Sequence, residues 1–467
     1  MSTIHIFAIG GTGSRVLRSL TMLLASGVDC KMDIHPIIVD PDFSNEDVTR
    51  TSMLIDNYSK LRKELSFNNS TKNKFFATNI DTTGGTRMPI ENTSNKRFRD
   101  YMGLHSMPTD SQALLQGLFS DSDLDAEMQV GFEGHPNRGS VVLNQIRYSQ
   151  ALKEFANQFK QGDRVFIISS IFGGTGAAGF PLLFKILRDP SIDIPNHDLI
   201  NKATIGAVTV LPYFKVKPDS GSPIDSATFI SKARSALQYY KRNISDIQDT
   251  SKQLNYLYYI GDQTSKSYEN HKGGKDQCND AHFVELASAL AIINFASQDD
   301  NGNGCFEYGI KNNTKEILFT DLGDGTQNLI RRPMTQMMLF YLLFSKHKDE
   351  MQKQKYVQNL SDGFLDTSWV RTFHEWLTNY HEWLQELDGN EVAFSPFRLD
   401  GDRSSSDPLD CVKGVKYNRP KLTIYKGFSH FDDMISEQRS EAADDTQRFV
   451  DILFSATAKM AQKDYIG

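Results

Sequence analysis

The fold class is decided by one stretch, Ser169-Ser170-Ile171-Phe172-Gly173-Gly174-Thr175-Gly176-Ala177-Ala178-Gly179. An apolar run at 164–169 precedes it, and a run with helical spacing follows at 180–187. Glycines between a strand and a helix let the backbone turn tightly, and the first N–H groups of the helix can then face a bound anion. The stretch therefore predicts a strand–glycine–helix junction of the kind that holds phosphate groups.

A second junction of the same kind opens the chain. Residues 3–9 are apolar, Gly10-Gly11-Thr12-Gly13-Ser14 follow, and residues 15–25 have helical spacing. Another apolar run, 34–39, is followed by Asp40, so the order strand, glycine turn, helix, strand predicts the first unit of a parallel sheet. Two such junctions in one domain suit a long phosphate tail that backbone N–H groups hold from both sides. Two unrelated tight turns would give the same pattern.

Composition limits the class of protein and of partner. The chain has 467 residues, of which 39% are hydrophobic and 23% charged, so two or three globular domains are expected. A net charge of -7 argues against a general nucleic-acid coat, which needs a basic surface. The four cysteines form no CxxC pair, which disfavours zinc ribbons and a disulfide framework and favours a reducing compartment.

Targeting signals are not visible in the sequence. The first residues, MSTIHIFAIGG, lack the basic region and the small-residue cleavage site of a signal peptide. The most apolar later run, Met337–Phe344, is too short to span a bilayer. We therefore expect a cytoplasmic protein without a membrane partner.

The remaining periodicities predict two domains. Residues 44–128 are polar and predict an insertion at the edge of the sheet, and a glycine- and proline-rich loop at 131–139 leads into a predicted helix at 141–159. Further elements are predicted at 204–211 and 254–260 (strands), at 226–241 (helix) and at 279–297 (a long, mostly apolar helix). Beyond residue 300, helices are predicted at 331–358, 364–388 and 436–463, and a strand at 421–425. The expected architecture is an α/β domain over 1–300, with a parallel sheet flanked by helices, and a helix-rich domain over 301–467.

In their order along the chain, these features resemble the tubulin/FtsZ superfamily of guanine-nucleotide-binding proteins. The segment 172–178 resembles the family's GGGTG[ST]G loop, and Gly10–Ser14 matches the glycine segment that opens the family fold. The loop 131–139 is similar to the family's loop that closes over the terminal phosphate, and the helix from Asn279 resembles the family's central helix. The resemblance covers about residues 3–300 and is greatest to divergent bacterial tubulin-like proteins.

The resemblance implies that the ligand is GTP or GDP, with Mg²⁺ held mainly by phosphate oxygens and water. Phosphate contacts are implied for Gly10, Gly11, Thr12, Gly13, Ser14, Gly134, Gly173, Gly174, Thr175, Gly176 and Ala177. Ribose or base contacts are implied for Asp225, Asn279 and Asp280, all of which also suit plain helix capping. Asp40 is a further candidate on its position alone, because it ends the second strand, where acidic residues often meet ribose or metal. Phe172 and Ala177 depart from the family pattern, and Ala177 removes a hydroxyl that could contact a phosphate or a metal.

The resemblance also implies nucleotide-dependent self-association into a homo-oligomer or filament. In the family, a loop patterned NxDxxD reaches the neighbouring subunit's nucleotide, and its carboxylates polarise the attacking water. The nearest match supplies Asp321 and Asp324, but it has Phe319 where the pattern has Asn and lies later in the chain than the family's loop. A plain Asp-Gly turn fits at least as well, so a GTPase and a non-hydrolysing, nucleotide-bound scaffold both stay open.

A rival interpretation is an ATP-dependent adenylating enzyme similar to ThiF. Those enzymes share the GGxGS segment, and the stretch from Asp40 to Arg50 resembles their DxDxVxxxNxxR pattern. A second glycine loop does not belong to that family, and neither an obvious catalytic cysteine nor a CxxC pair is visible. The tubulin-like interpretation is therefore preferred.

The C-terminal region repeats the sequence His-Glu-Trp-Leu at 374–377 and 381–384. The metalloprotease spacing HExxH is absent. Apolar residues at helical spacing instead predict a packing stripe. This stripe consists of Phe373, Trp376, Leu377, Tyr380, Trp383, Leu384 and Leu387. If the stripe is not buried within the chain, it is a docking face for another protein.

Overall fold

The structure, a computed structural model, describes residues 2–42, 44–69, 71–128, 131–132, 134–217, 226–245, 253–262, 267–268, 274–300, 302–307, 309–310, 314–399, 408–415 and 428–462. The strands are β1 (Thr3–Ile9), β2 (Asp33–Val39), β3 (Arg87–Met88), β4 (Arg164–Ser170), β5 (Ile205–Val210), β6 (Lys215–Val216), β7 (Tyr256–Ile260), β8 (Ser267–Tyr268), β9 (Gly304–Glu307), β10 (Glu316–Ile317) and β11 (Ala393–Phe394). Within these residues, seven strands form one parallel sheet in the order β3-β2-β1-β4-β5-β7-β9.

The strand order places the beginning of the chain at the centre of the sheet. β1 pairs with β2 on one side, with Thr3 opposite Asp33, and with β4 on the other, with Ile4 opposite Arg164. The strands β2 and β3 follow in order on one side of β1 in the sheet, and β4, β5, β7 and β9 follow in order on the other side. The order therefore reverses between β1 and β4, which is where open parallel sheets bind ligands at the carboxyl ends of their strands. The predicted parallel α/β sheet is confirmed.

Helices cover both faces of this sheet. They are α1 (Gly10–Ala25), α2 (Glu46–Lys63), α3 (Phe98–Tyr101), α4 (Thr109–Leu118), α5 (Asp121–Leu124), α6 (Pro136–Leu143), α7 (Gln150–Gln158), α8 (Gly174–Leu187), α9 (His197–Lys202), α10 (Ser226–Tyr240), α11 (Phe283–Phe295), α12 (Asp324–Lys346), α13 (Lys348–Met351), α14 (Lys355–Gln358), α15 (Ser368–Asp388), α16 (Phe428–Ser436) and α17 (Asp445–Met460). On one face Phe295 packs against Phe166, with ring centroids 5.1 Å apart, and on the other Phe155 packs against Phe7 at 5.0 Å. Both faces of the central strands are thereby covered, which explains why β4 is buried along its whole length.

The long apolar helix near residue 280 is buried against the sheet, as its composition predicts. Every residue of α11 from Val284 to Ile293 is buried. The helix begins at Phe283, four residues later than the predicted 279, because His282 caps it. The His282 side chain accepts a hydrogen bond from the N–H of Val284, and the Glu285 carboxylate accepts one from the N–H of His282. Asn279 and Asp280 therefore lie in the preceding loop.

The C-terminal region is rich in helices, as predicted, and these helices pack on α1 and α2. The stripe on α15 is buried within the chain, so the alternative that it forms a docking face for another protein is wrong. Trp376 packs edge-on against Tyr58 and Phe76, and the indole N–H of Trp383 donates to the Ser19 hydroxyl at 3.3 Å. The predicted strand at 421–425 lies outside the described residues. Each helix in the described ranges is too short or too polar to cross a bilayer.

Candidate phosphate-binding site

The candidate site is the crevice between the carboxyl ends of β1 and β4. Both strands lead directly into glycine segments, and α1 begins at Gly10 whereas α8 begins at Gly174. A Cβ atom built on Gly10 would lie 3.5 Å from the Cβ of Thr175 and 3.8 Å from the backbone nitrogen of Gly176. The two glycine segments, more than 160 residues apart in sequence, therefore meet at the point where the strand order reverses.

Two of the glycines are required by packing. A Cβ on Gly13 would lie 2.7 Å from the carbonyl carbon of Ala8, and one on Gly176 would lie 2.8 Å from both the backbone nitrogen and the carbonyl oxygen of Ser170. Any side chain at either position would collide with backbone atoms of the strand that precedes the helix. These glycines thus bring the first turns of α1 and α8 close to the ends of β1 and β4.

The loop 131–139 joins the same crevice. A Cβ on Gly174 would lie 3.0 Å from the backbone nitrogen of Gly134, and one on Gly139 would lie 3.1 Å from the carbonyl oxygen of Gly174. Gly131 and Gly134 have φ angles of +80° and +73°, a left-handed conformation that favours glycine. The described part of this loop therefore lies against the first residues of α8, next to Thr175.

The electrostatics of the crevice favour an anion. The first turns of α1, α6 and α8 contain no acidic residue, and none of these helices has a side-chain cap at its N-terminus within the described residues. The first N–H groups of a helix have no partner within it, so they attract negative charge when no side chain caps them. Five other helices are capped by the side chains of Asn45, Ser149, His282, Thr367 and Asp444, and the uncapped helices α4 and α12 have an aspartate in the first turn.

The polar side chains of the first glycine segment face the protein. The Ser14 hydroxyl is fully buried and donates to the carbonyl of Gly10 at 3.3 Å. The Thr12 hydroxyl accepts from the guanidinium of Arg15 at 3.4 Å. The contribution of this segment to a ligand would thus come from its backbone. In the second segment, the carbonyl of Ala177 accepts a hydrogen bond from the Tyr240 hydroxyl at 3.2 Å.

Asp40 lies just beyond the carboxyl end of β2, next to the crevice. It is 6% exposed, and its Oδ1 accepts from the N–H of Asp42 at 2.8 Å. Burial is the main cause that raises the pKa of Asp40 to about 7; the N–H of Asp42 and Arg87 lower it, and the carboxylates of Asp42 and Asp47 raise it. Asp40 is therefore a carboxyl group that titrates near neutral pH.

The candidate residues for the base and ribose lie apart from one another. Asn279 is half-buried in the loop before α11, where its backbone N–H and side-chain amide both donate to the Asp47 carboxylate, at 3.1 and 3.0 Å. Asp280, next to it, is exposed. Asp225 lies outside the described residues. Asn279 thus bonds to Asp47 of α2 and makes no described contact with the glycine segments.

Asp47 belongs to a network that is centred on Arg15, a residue whose role no sequence pattern indicates. Arg15 is buried on α1, where it donates to Glu285 at 2.5 Å, to Asp47 at 2.6 Å and to the hydroxyl of Tyr213 at 2.8 Å. Burial alone would lower the pKa of Arg15, but Tyr213 and the two carboxylates raise it well above its ordinary value. A Cβ on Gly11 would lie 3.7 Å from the Arg15 guanidinium and from the Asp47 carboxylate. The hydrogen-bonded network of Arg15, Asp47 and Glu285 therefore lies next to the first glycine segment.

The two candidate catalytic carboxylates lie in the C-terminal part of the chain. The Oδ2 atom of Asp321 accepts from the N–H of Leu318 at 2.9 Å and thereby closes the short 3₁₀ helix Phe319–Asp321. Asp324 is exposed in the first turn of α12. Phe319, which stands where the family pattern has Asn, is buried against Phe394 and Phe397. Both carboxylates thus follow β10, and Asp321 already has a capping role.

Comparison with known proteins gives structural matches only. No protein-family model matches the sequence, and no curated protein matches it. CetZ from Methanosaeta thermophila strain DSM 6194 is 15% identical, with a TM-score of 0.30 over 63% of this chain and 51% of its own. CetZ2 from Haloferax volcanii, in a GTPγS-bound protofilament, is 12% identical, with a TM-score of 0.30 over 63% of this chain and 58% of its own. An FtsZ mutant from M. jannaschii is 14% identical, with a TM-score of 0.27 over 56% of this chain and 46% of its own. The chain spans about half the length of these proteins.

Proposed function

We propose that this chain binds GTP or GDP, with the phosphate tail in the crevice between β1 and β4. The observation that carries the proposal is the contact between two glycine-led, uncapped helix N-termini, with the Gly10 position 3.5 Å from Thr175. Each N-terminus supplies backbone N–H groups and a favourable dipole, so the pair can hold successive phosphates of one tail from two sides. The choice of guanine rests on the family resemblance of the glycine loops.

The residues of the crevice fit such a ligand. A nucleotide tail carries several negative charges, and the first turns of α1, α6 and α8 contain no acidic side chain that would repel it. The described part of the loop 131–139 lies against α8, and by the family resemblance the loop would close over the terminal phosphate. Mg²⁺ would accompany the triphosphate and neutralise part of its charge, with phosphate oxygens and water as most of its ligands.

Hydrolysis and self-association extend the proposal. By the family resemblance, Asp321 and Asp324 of one subunit would complete the site of the next subunit and orient the attacking water. The alternative, a nucleotide-bound scaffold that does not hydrolyse its ligand, is favoured by one observation. The Asp321 carboxylate already accepts the N–H of Leu318, and buried Phe319 replaces the amide side chain of the family pattern.

The first test identifies the nucleotide that copurifies with the protein. The ligand is released with acid and separated by ion-exchange chromatography, and GTP and ATP are then titrated into the emptied protein by calorimetry. GTP or GDP in the extract, with preference for GTP in the titration, supports the proposal. ATP or AMP would favour the adenylating alternative, and the absence of binding to either nucleotide would refute a nucleotide site.

A charge reversal in the crevice tests the location. Thr175 lies between the Gly10 and Gly131 segments, so Thr175→Glu would place a carboxylate beside the phosphates. We expect GTP affinity to fall at least roughly tenfold, because the new carboxylate and the phosphates carry like charges and would repel each other in a site from which water is excluded. The matched control is Thr378→Glu, an exposed threonine on α15, which should bind GTP normally. Equal affinities of the two variants would place the ligand elsewhere.

A further inference from the structure

α10 lies directly on the second glycine segment. The Phe229 ring packs against that of Phe172, the residue before Gly173, with centroids 5.2 Å apart. Near the other end of the helix, the Tyr240 hydroxyl donates to the carbonyl of Ala177 in the first turns of α8. Lys232 is one turn beyond Phe229, so it projects from the part of α10 that covers the crevice.

The ammonium group of Lys232 lies where two of the glycine loops meet. Its Nζ donates to the carbonyl oxygen of Gly134 at 2.8 Å. The backbone nitrogen of Gly134, in turn, lies 3.0 Å from a Cβ position on Gly174, the first residue of α8. The cation is thereby held at the boundary between the loop 131–139 and an uncapped helix N-terminus.

The charge of Lys232 has no carboxylate partner in the described part of the chain. Its side chain is half-buried, and burial lowers its pKa. Arg15 and Arg18, the buried cations of α1, are both paired with carboxylates, and Arg138 on the loop helix α6 lies 3.5 Å from Asp123. An ammonium has three donors, and the neutral carbonyl of Gly134 uses one of them. A half-buried cation of this kind is stabilised by an anionic ligand.

We infer that Lys232 contributes the positive charge that contacts the terminal phosphate of the bound nucleotide and makes the site prefer a triphosphate to a diphosphate. This inference rests on the proposed function. The family pattern places a hydroxyl residue at the position of Ala177, and Lys232 would instead supply a donor from α10, beside the Gly134 backbone that lies against the first residue of α8. No sequence pattern indicates Lys232, because its hydrogen-bond partner Gly134 is separated from it by about a hundred residues of chain.

The test compares GTP and GDP binding in Lys232→Gln, in Lys232→Arg and in the matched control Lys241→Gln. Glutamine keeps an N–H donor for the Gly134 carbonyl, and Lys241 is an exposed lysine next to the end of α10. By calorimetry, we expect Lys232→Gln to weaken GTP binding roughly tenfold or more and GDP binding much less, since a charged hydrogen bond to the last phosphate is lost. Lys232→Arg should recover most of the GTP affinity, and Lys241→Gln should behave as the unchanged protein.

The outcomes separate the inference from the proposed function. If the unchanged protein binds neither GTP nor GDP, the proposed function itself fails. If it binds both and Lys232→Gln retains the same ratio of GTP to GDP affinity, the inference is overturned while the nucleotide site stands. An equal loss for both nucleotides would show that Lys232 only supports the loop 131–139, which also overturns the inference. The melting temperature without nucleotide, compared among the variants, shows whether each one is folded.

Discussion

At the scale of single residues, the glycines of the first segment have different roles although they look alike in sequence. Gly13 allows close packing, because a Cβ there would lie 2.7 Å from the carbonyl carbon of Ala8. At Gly11 a Cβ atom would fit without a clash, since the nearest atoms to its position lie 3.7 Å away. Gly13→Ala should therefore lower the free energy of unfolding by about 1–3 kcal/mol, whereas Gly11→Ala should leave it within about 1 kcal/mol or raise it through better helix propensity. Urea denaturation followed by circular dichroism measures both, and equal stabilities would contradict the close approach of α1 to β1.

The raised pKa of Asp40 predicts a second residue-scale effect. Because burial raises the folded-state pKa to about 7, above the ordinary value of 3.8, folding favours the protonated form. The stabilisation is complete below pH 3.8 and is lost as the pH rises through 7. Asp40→Asn stays neutral and keeps an acceptor for the N–H of Asp42. Its stability relative to the unchanged protein should thus rise by about 2–3 kcal/mol between pH 5 and pH 8. A difference that does not change with pH would show that Asp40 titrates normally.

At the scale of elements, Glu386 connects α15 to the helices around the candidate phosphate-binding site. Its carboxylate accepts from Arg18 on α1 at 2.6 and 3.1 Å, from Arg50 on α2 at 3.1 Å and from the N–H of Ala281 before α11 at 2.7 Å. Arg50 also donates to Asp47, which binds Arg15. One carboxylate of the C-terminal region therefore fixes the relative positions of three elements around the crevice.

Removal of that carboxylate should be costly. Glu386→Ala leaves two partly buried guanidinium groups without one of their acceptors, so we expect a loss of about 3 kcal/mol in the free energy of unfolding. Glu382→Ala, at an exposed position one turn earlier on α15, should cost less than about 0.5 kcal/mol. Both variants are compared by urea denaturation. A small effect of Glu386→Ala, similar to that of Glu382→Ala, would mean that the two arginines find water or other acceptors without cost.

The strands and helices could largely be predicted from the sequence, whereas the residues at which the helices begin after the strands could not. Apolar runs predicted β1, β2 and β4 with nearly the observed bounds, because parallel strands buried on both faces are continuously apolar. Helix periodicity predicted α1 from residue 15 and α8 from residue 180, but the helices begin at Gly10 and Gly174. Glycine has low helix propensity, and tertiary packing of the first turn against the strand overrides it here.

The site was predictable only where it is local in sequence. The three glycine segments are contiguous and carry their signal in composition, and the structure brings them together. Arg15, Glu285 and Lys232 carry no such signal, because their pairing spans from about one hundred to 270 residues of chain. The order of strands in the sheet, which reverses between β1 and β4, decides which distant residues meet.

At the scale of the whole molecule, the parallel sheet with its glycine segments and the C-terminal helices share one hydrophobic core. Phe75, from the segment between β2 and β3, packs against Phe340 of α12 and Phe454 of α17, with ring centroids 4.8 and 5.0 Å apart. Trp369 of α15 donates its indole N–H to the carbonyl of Leu61 at the end of α2. The apolar surfaces of these helices are used inside the chain. A contact between copies of the chain would therefore have to use other surfaces.

The proposed completion of one site by the next subunit gives the last prediction. If Asp321 and Asp324 act on the nucleotide of a neighbouring molecule, GTP turnover per subunit rises steeply with protein concentration, because isolated subunits lack the carboxylates. Asp321→Asn and Asp324→Asn should abolish phosphate release while GTP affinity is unchanged, and asparagine at 321 retains an acceptor for the N–H of Leu318. Asp362→Asn, at an exposed position before α15, is the control. Turnover that is constant across dilutions would exclude a shared site, and turnover that survives both substitutions would exclude these carboxylates. Tight GTP binding without any turnover in the unchanged protein would establish the scaffold, in which Asp321 serves only to close the turn after β10.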